Sequence, residues 1–454
     1  MSKSNVQSNA DAGAVAAASV TVALLLLLIT LLLVGTSLQS KAIAMPPRRP
    51  LAGLGLAPGP AGAVVGTPLK VIPLTWSPSG SVYVVTFAVG KDTVEAAFDT
   101  GSARFIVATS ACSGCDNTKY NPVASADAIA LIDPRKQRTV IEPLRPTEIG
   151  THQDILCSDT VSYVSQSNSI VMYRDTVTFP RRTVLGDSIC DGTSIDAILT
   201  ASVSAPVLTV TDFPVGGITK TSGSTALNVF GMSGVLSVTK VGKQFLLPSC
   251  QVADAESFEA ATIQAIALYY TARGQPVVWS QYIGVQTGFM LFGALQLPCE
   301  TVQYVRMIKE LTQSSNDVDR TPWRFYTVNV SSIEVDGVSL PHIPKQFIVD
   351  TGATQTQLPG PYAAATVSRI NNATSVVITL GSGTARDVAK LKYTASETRY
   401  ASAFGSQPVF AAMPDNVAQL FSSSMDVGML GVTAMRNTYV EYDLTNRRIG
   451  FSKM

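Results

Sequence analysis

Histidine is almost missing from this chain of 454 residues, with only His152 and His342 present. A Ser-His-Asp or Cys-His site needs one of those two, and no Gly-x-Ser-x-Gly elbow supports such a site. Cysteine is scarce as well, at six residues. Cys112 and Cys115 form a lone C-x-x-C with no second matching pair, so a zinc centre lacks its ligand set and no metal is expected. Charge is low: 14% of residues are charged, the net charge is +1, and no basic run exceeds "PPRRP". No strong field is available to attract nucleic acid. With 46% hydrophobic residues, disorder is excluded for most of the chain. No cofactor motif is present, so chemistry falls to carboxylates.

What the chain does have is a long uncharged stretch, "AVAAASVTVALLLLLITLLLVGTSL", at residues 14–38. It is long enough to span a bilayer. It reads as a signal anchor behind a short tail of residues 1–13, in preference to a signal peptide cut after "AIA" at 42–44. Either reading sends the remainder into the secretory pathway. The six cysteines then read as disulfides, and sequence order suggests Cys112–Cys115, Cys157–Cys190 and Cys250–Cys299. Asn329 and Asn372 stand in glycosylation patterns. Residues 39–70, rich in Pro, Gly and Ala, read as a stalk or pro-segment.

Beyond residue 70 short β-rich runs recur: "SVYVVTFAVG", "SIVMYRDTVTF", "GFMLFGAL", "RFYTVNVSSIEVDG", "TSVVITLG" and "TYVEYDLTNRRIGF". Helical patterns are few: "ESFEAATIQAIALYYTARG", capped by Gly274, and the shorter "GPYAAATVSRI" and "MPDNVAQLFSS". The composition is that of a mainly β protein. Its halves echo each other. Each carries strand, turn, strand and then Asp-Thr-Gly, in "EAAFDTGSARFIV" and "QFIVDTGATQTQLP". The second half also has "GMLGVTAMRNTYVEYD". Its first-half counterpart is expected in "IDAILTAS" or, preferably, "SGVLSVTK".

A lone Asp-Thr-Gly after a strand is an ordinary turn, because Asp bonds its own backbone and Gly supplies φ > 0. A matched pair is different. Two carboxylates about 3 Å apart cannot both ionise easily and share one proton. The charged member can draw a proton from water while the protonated member polarises a carbonyl. Gly101 and Gly352 give permissive dihedrals, and Thr100 and Thr351 can cross-bond the two turns. Ser102 can donate to its carboxylate, whereas Ala353 cannot.

These motifs resemble those of pepsin-like (family A1) aspartic proteases over roughly residues 75–454. The best-matched pieces are "FDTGSA", "VDTGAT", "VSYVSQSNSIVMYRDTV", "GFMLFGAL" and "MLGVTAMRNTYVEYDLTNRRIGF". The resemblance implies a bilobal β fold with two barrel-like lobes, a cleft between them and a hairpin flap over it. The lobes would span residues 71–300 and 301–454. It makes Asp99 and Asp350 the catalytic pair, and it places Tyr163, Ser165 and Thr354 against substrate. There are departures. Val164 and Gln166 replace flap glycines, "ARFIV" lacks the usual tryptophan, and Ala353 stands where a hydroxyl is common. The triplets are 251 residues apart, which implies an insertion within 165–260.

The expected protein is therefore an aspartic endopeptidase, monomeric and without a cofactor. It acts on peptides or proteins and not on nucleic acid, and it is held in a bilayer by residues 14–38 with its catalytic part lumenal or extracellular. Secreted or lysosomal/vacuolar placement is the variant without an anchor. The competing function is an inactive relative that binds peptides in its cleft.

Overall fold

The computed structural model describes residues 68–78, 81–115, 119–131, 144–147, 156–162, 166–185, 193–223, 228–233, 262–293, 302–308, 325–360, 363–394, 410–413 and 426–453. Among these the chain is mainly β, with the pepsin-like architecture. The first lobe holds β1 (Pro68–Ser77), β2 (Val82–Val89), β3 (Asp92–Asp99), β4 (Phe105–Ser113), β5 (Ile129–Ala130), β6 (Ser158–Ser162), β7 (Gln166–Leu185), β8 (Val203–Gly223) and β9 (Val229–Gly231). Alternating burial along most of β7 shows why that run is a strand, since every second side chain enters the core, whereas Val82–Val85 of β2 are buried on both faces. Phe87, Phe105, Phe179, Phe213 and Phe230 pack edge-on or tilted there, with centroids 5.0–6.3 Å apart.

β10 (Val278–Ile283), β11 (Thr287–Phe292) and β12 (Gln303–Ile308) lead into the second lobe. That lobe is built from β13 (Thr327–Val335), β14 (Val338–Ser339), β15 (Gln346–Val349), β16 (Thr356–Leu358), β17 (Ser375–Thr384), β18 (Asp387–Thr394), β19 (Phe410–Ala412) and β20 (Val427–Leu430). Closing strands β21 (Thr438–Asp443) and β22 (Arg448–Lys453) return to the middle. An antiparallel sheet in the order β1-β11-β10-β21-β22-β12 joins the lobes. β1 continues into the first lobe through β2 and β7, and β12 into the second through β13. β1 begins at Pro68, so the folded part takes in the last residues of the stretch read as a stalk.

Helices are few. α1 (Ile195–Ala201) starts at Ser194, whose hydroxyl accepts from the Ala197 amide at 3.3 Å. α2 (Thr262–Thr271) is followed by Gly274 at φ +65°, the stop expected from sequence. α3 (Ala363–Asn371) and the single turn α4 (Val432–Met435) complete them. The helix expected in "MPDNVAQLFSS" and much of the expected insertion lie outside the described residues.

One expectation fails. The first-half counterpart of "GMLG" is not "IDAILTAS", which forms α1, and "SGVLSVTK" beyond Ser233 lies outside the described residues. The counterpart is β9, Val229–Gly231, parallel to β3 with Asp99 opposite Gly231. The second half repeats this with β20 parallel to β15.

Candidate active site

Each Asp-Thr-Gly turn leaves the end of a strand that has been locked from one side. In the first lobe β9 lies between β3 and β4, parallel to the first and antiparallel to the second. In the second lobe β20 lies between β15 and β16 in the same way. The chain then passes close beneath the turn at a glycine. A Cβ on Gly231 would stand 2.5 Å from the Arg104 carbonyl oxygen and 2.7 Å from that of Ser102. A Cβ on Gly431 would meet the carbonyls of Gln355 and Ala353, the equivalent neighbours. No side chain fits at either point, which is the physical reason for glycine there. Asn228, which no local pattern singles out, braces the first lobe. Its side chain accepts from the Ala108 amide at 2.8 Å and donates to the Glu95 carbonyl at 2.9 Å.

The two turns are tied to each other by their threonines. The Thr100 amide donates to Thr351 Oγ1 and the Thr351 amide to Thr100 Oγ1, both at 2.9 Å. Thr100 Oγ1 then donates to the Val349 carbonyl at 2.9 Å, and Thr351 Oγ1 to that of Phe98 at 2.8 Å. Both threonines are fully buried. Every donor and acceptor of the crossing is satisfied, so the spacing of the turns is fixed by hydrogen bonds inside a dry region.

The carboxyls are held alike. Asp99 Oδ1 accepts from the Gly101 amide and Asp350 Oδ1 from the Gly352 amide, each at 2.8 Å. Each carboxyl also leans over the other turn's glycine: a Cβ on Gly352 would sit 2.5 Å from Asp99 Oδ1, and one on Gly101 would strike the Asp350 carboxyl. Burial, followed by the charge of Asp99, pushes Asp350 well above the usual carboxylate range, against the opposing pull of the Gly352 and Ala353 amides. Asp350 therefore holds its proton to higher pH than an ordinary carboxyl does.

Beneath the turns lies an aromatic floor of Phe98, Trp279, Tyr326 and Tyr442. Trp279 stacks on Tyr442 at 4.0 Å and 5°, and Tyr326 lies 4.5 Å from Tyr442. Trp279 Nε1 donates to the Tyr326 hydroxyl at 3.2 Å, which donates to the Met232 carbonyl at 2.6 Å. Burial, and after it the neighbouring Tyr326, hold the Tyr442 phenol well above its ordinary value. A wall of rings excludes water from below and strengthens the electrostatic coupling above it.

Other expected residues fare variously. Ser102 Oγ is buried with no hydrogen-bond partner, so the expected bond to Asp99 is not made. Ala353 is buried with Met413 and Met429 in a small apolar cluster. Thr354 turns its hydroxyl onto the Ser81 carbonyl at 2.7 Å. Tyr163 and Ser165 lie outside the described residues, as do Cys190, Cys250 and Cys299. Cys112–Cys115 is a disulfide, and buried Cys157 is disulfide-bonded too. Asn372 is exposed, whereas Asn329 sits within β13 opposite Gln346. Among the described residues no group of three or more His, Cys, Asp or Glu could hold a metal ion, and no helix is long and apolar enough to cross a membrane. Residues 14–38 lie outside that set.

A family model, that of the eukaryotic aspartyl proteases, matches residues 191–454. No curated protein matches the chain. The matched stretch includes Asp350, β9, β20 and the closing strands β21 and β22, but it starts after Asp99, whose place beside Asp350 rests on the crossed threonines. With more than half of its length matched, the chain belongs to the eukaryotic aspartyl protease family.

Proposed function

We propose that the protein is an aspartic endopeptidase of the secretory or endomembrane system, with Asp99 and Asp350 as its catalytic pair. The observation that carries this reading is the crossed pair of buried threonines, which holds the two carboxyls together with each leaning over the other turn's glycine. A water bound between the carboxyls loses a proton to Asp99 as its oxygen attacks the peptide carbon. Asp350 gives its proton to the carbonyl oxygen, and the carbon becomes tetrahedral. Collapse breaks the C–N bond, the leaving amine takes a proton from Asp99, and Asp350 regains its own. Aspartic proteases are the established example of this carboxyl coupling.

Peptide or protein substrates follow from the family. Membrane attachment through residues 14–38, with the catalytic part lumenal, is supported by the length and lack of charge of that stretch and by the disulfides. Full-length protein in detergent, incubated with a denatured protein across acidic pH with and without pepstatin, tests the reading. Pepstatin-sensitive cleavage is expected. Peptide binding without turnover at any pH would select the inactive-relative alternative.

A further inference from the structure

The corner of the first lobe where β1 begins has two unlike faces. β1 enters against the far end of β7, with Pro68 opposite Leu185, Leu69 opposite Val184, Lys70 opposite Thr183 and Val71 opposite Arg182. β8 lies on the other side of β7, with Val203 opposite Thr183 and Ala205 opposite Arg181. Side chains alternate between the two faces along each strand. One face carries Leu69, Val71 and Val184, and Ile195, Ile198 and Leu199 of α1 cover it. The other carries Lys70, Arg181, Leu185 and Val203, and it lies open.

Three of the five large apolar side chains exposed among the described residues stand at this corner: Val203 at 64%, Val207 at 54% and Leu185 at 49%. Lys70 is exposed beside them. Arg181 uses part of its guanidinium on the backbone, where Nε donates to the Pro206 carbonyl at 2.6 Å and Nη2 to that of Val207 at 3.2 Å. Neither cation is ion-paired with a described residue. Asp196 of α1 accepts from Thr287 in β11 instead. The free edge of β8 is closed to another strand, because Pro206 has no amide and Arg181 holds the carbonyls of Pro206 and Val207. The corner thus offers apolar and cationic side chains without a ladder.

We infer that this corner is a docking surface for an anionic lipid bilayer. Exposed apolar side chains beside unpaired cations suit the interface: the first enter the boundary between headgroups and acyl chains, and the second meet anionic lipid. The corner includes Pro68, and residues 39–67 connect it to the apolar stretch at 14–38. A coil of about thirty residues spans on the order of 30 Å. An anchor at 14–38 therefore keeps the corner within reach of the bilayer and raises its effective concentration there. Docking holds the catalytic part at one height and orientation over the membrane. The choice of a bilayer as occupant rests on the anchor reading and is independent of the peptidase reading.

Amine modification of the full-length protein tests it. The protein is placed in nanodiscs of phosphatidylcholine, or of phosphatidylcholine with phosphatidylserine, and treated with an uncharged amine-reactive ester. Lys70 should react at least about fivefold more slowly in the anionic discs, and high salt should erase the difference. Lys390 and Lys392, exposed on β18, should react alike in both. Val203→Asp combined with Val207→Asp should return Lys70 to its rate in neutral discs and leave any peptide cleavage in detergent unchanged. Equal rates for Lys70 in the two discs, or slowing that survives the double substitution, overturns the docking surface. Slowing that grows with protein concentration in detergent also overturns it and assigns the corner to a second copy of the chain. A protein that does not stay in the discs sinks the anchor reading instead, and flotation with vesicles of the two compositions then decides the surface. Binding to the anionic vesicles alone supports it, and binding to neither overturns it.

Discussion

At the scale of single residues, a proton held by a buried carboxyl has consequences for stability as well as for chemistry. Asp350 binds its proton more tightly in the folded chain than in the unfolded one. Its contribution is therefore fully present below the unfolded carboxylate range, near about 3.9, and is lost as pH rises through the raised folded value. Asp350→Asn has no proton to lose. The Tm of that variant relative to the parent should rise steadily with pH above about 4 and stay flat below it; a pH-independent difference would contradict the assignment of the proton. The same substitution, or Asp99→Asn, should lower peptide cleavage by more than about a thousandfold, because the carboxyls act as one unit. The paired triplets are legible in the sequence because each is a local motif repeated. The contrast between Ser102 and Ala353 misleads, because hydroxyl direction depends on neighbours far along the chain. Ala353 lies against Met413 and Met429. Ala353→Thr should accordingly act by overpacking, costing about 1–3 kcal/mol in denaturant unfolding, with little movement of the acidic limb of kcat/KM.

At the scale of elements, the active turns depend on short strands that propensity does not announce. β9 has three residues, and its identity lies in what surrounds Gly231 instead of in its own composition. That is why "SGVL", with the better local pattern, draws attention away from "VFG". β20 is easier to find, since its apolar run leads straight into Gly431 ahead of the closing strands in the sequence. Asn228 is invisible for the same reason as β9: its role is to bond Ala108 and Glu95, 120 and 133 residues away. Asn228→Ala removes the partner of a buried amide and of a carbonyl, and a loss of roughly 2–6 kcal/mol is expected in denaturant unfolding, at about 1–3 for each group. Thr351→Val should cost a similar amount by stranding the Thr100 amide and the Phe98 carbonyl. Thr351→Ser keeps the hydroxyl and should recover most of both stability and kcat. A valine variant as stable and active as the parent would show that the crossing does not set the spacing of the turns.

At the scale of the whole molecule, the lobes are joined by pairings no local pattern could reveal. β10 lies against β21, with Val278 facing Asp443 across most of the second lobe's sequence. β-Branched and aromatic residues identify these runs as strands, but their order depends on which hydrophobic faces remain unburied once both lobes have formed. β1 is the strand most dependent on that order. Val71, Ile72 and Leu74 are almost completely buried, and the strand pairs with β7, β2 and β11 in succession. It is the edge at which the first lobe enters the joining sheet, so its removal would expose apolar surface on both sides. Any maturation cut must therefore fall before Pro68, in the Pro/Gly/Ala-rich stretch, where hydrolysis disturbs no ladder among the described residues. Mass-spectrometric mapping of the mature N-terminus should place it upstream of residue 68, or find residues 14–38 retained in the membrane fraction. A chain engineered to begin at Leu74 should lose cooperative unfolding and pepstatin-sensitive cleavage together. A mature terminus inside β1 on an active enzyme would mean that this strand can be spared, and that the joining sheet is held by β10, β11, β21 and β22 alone.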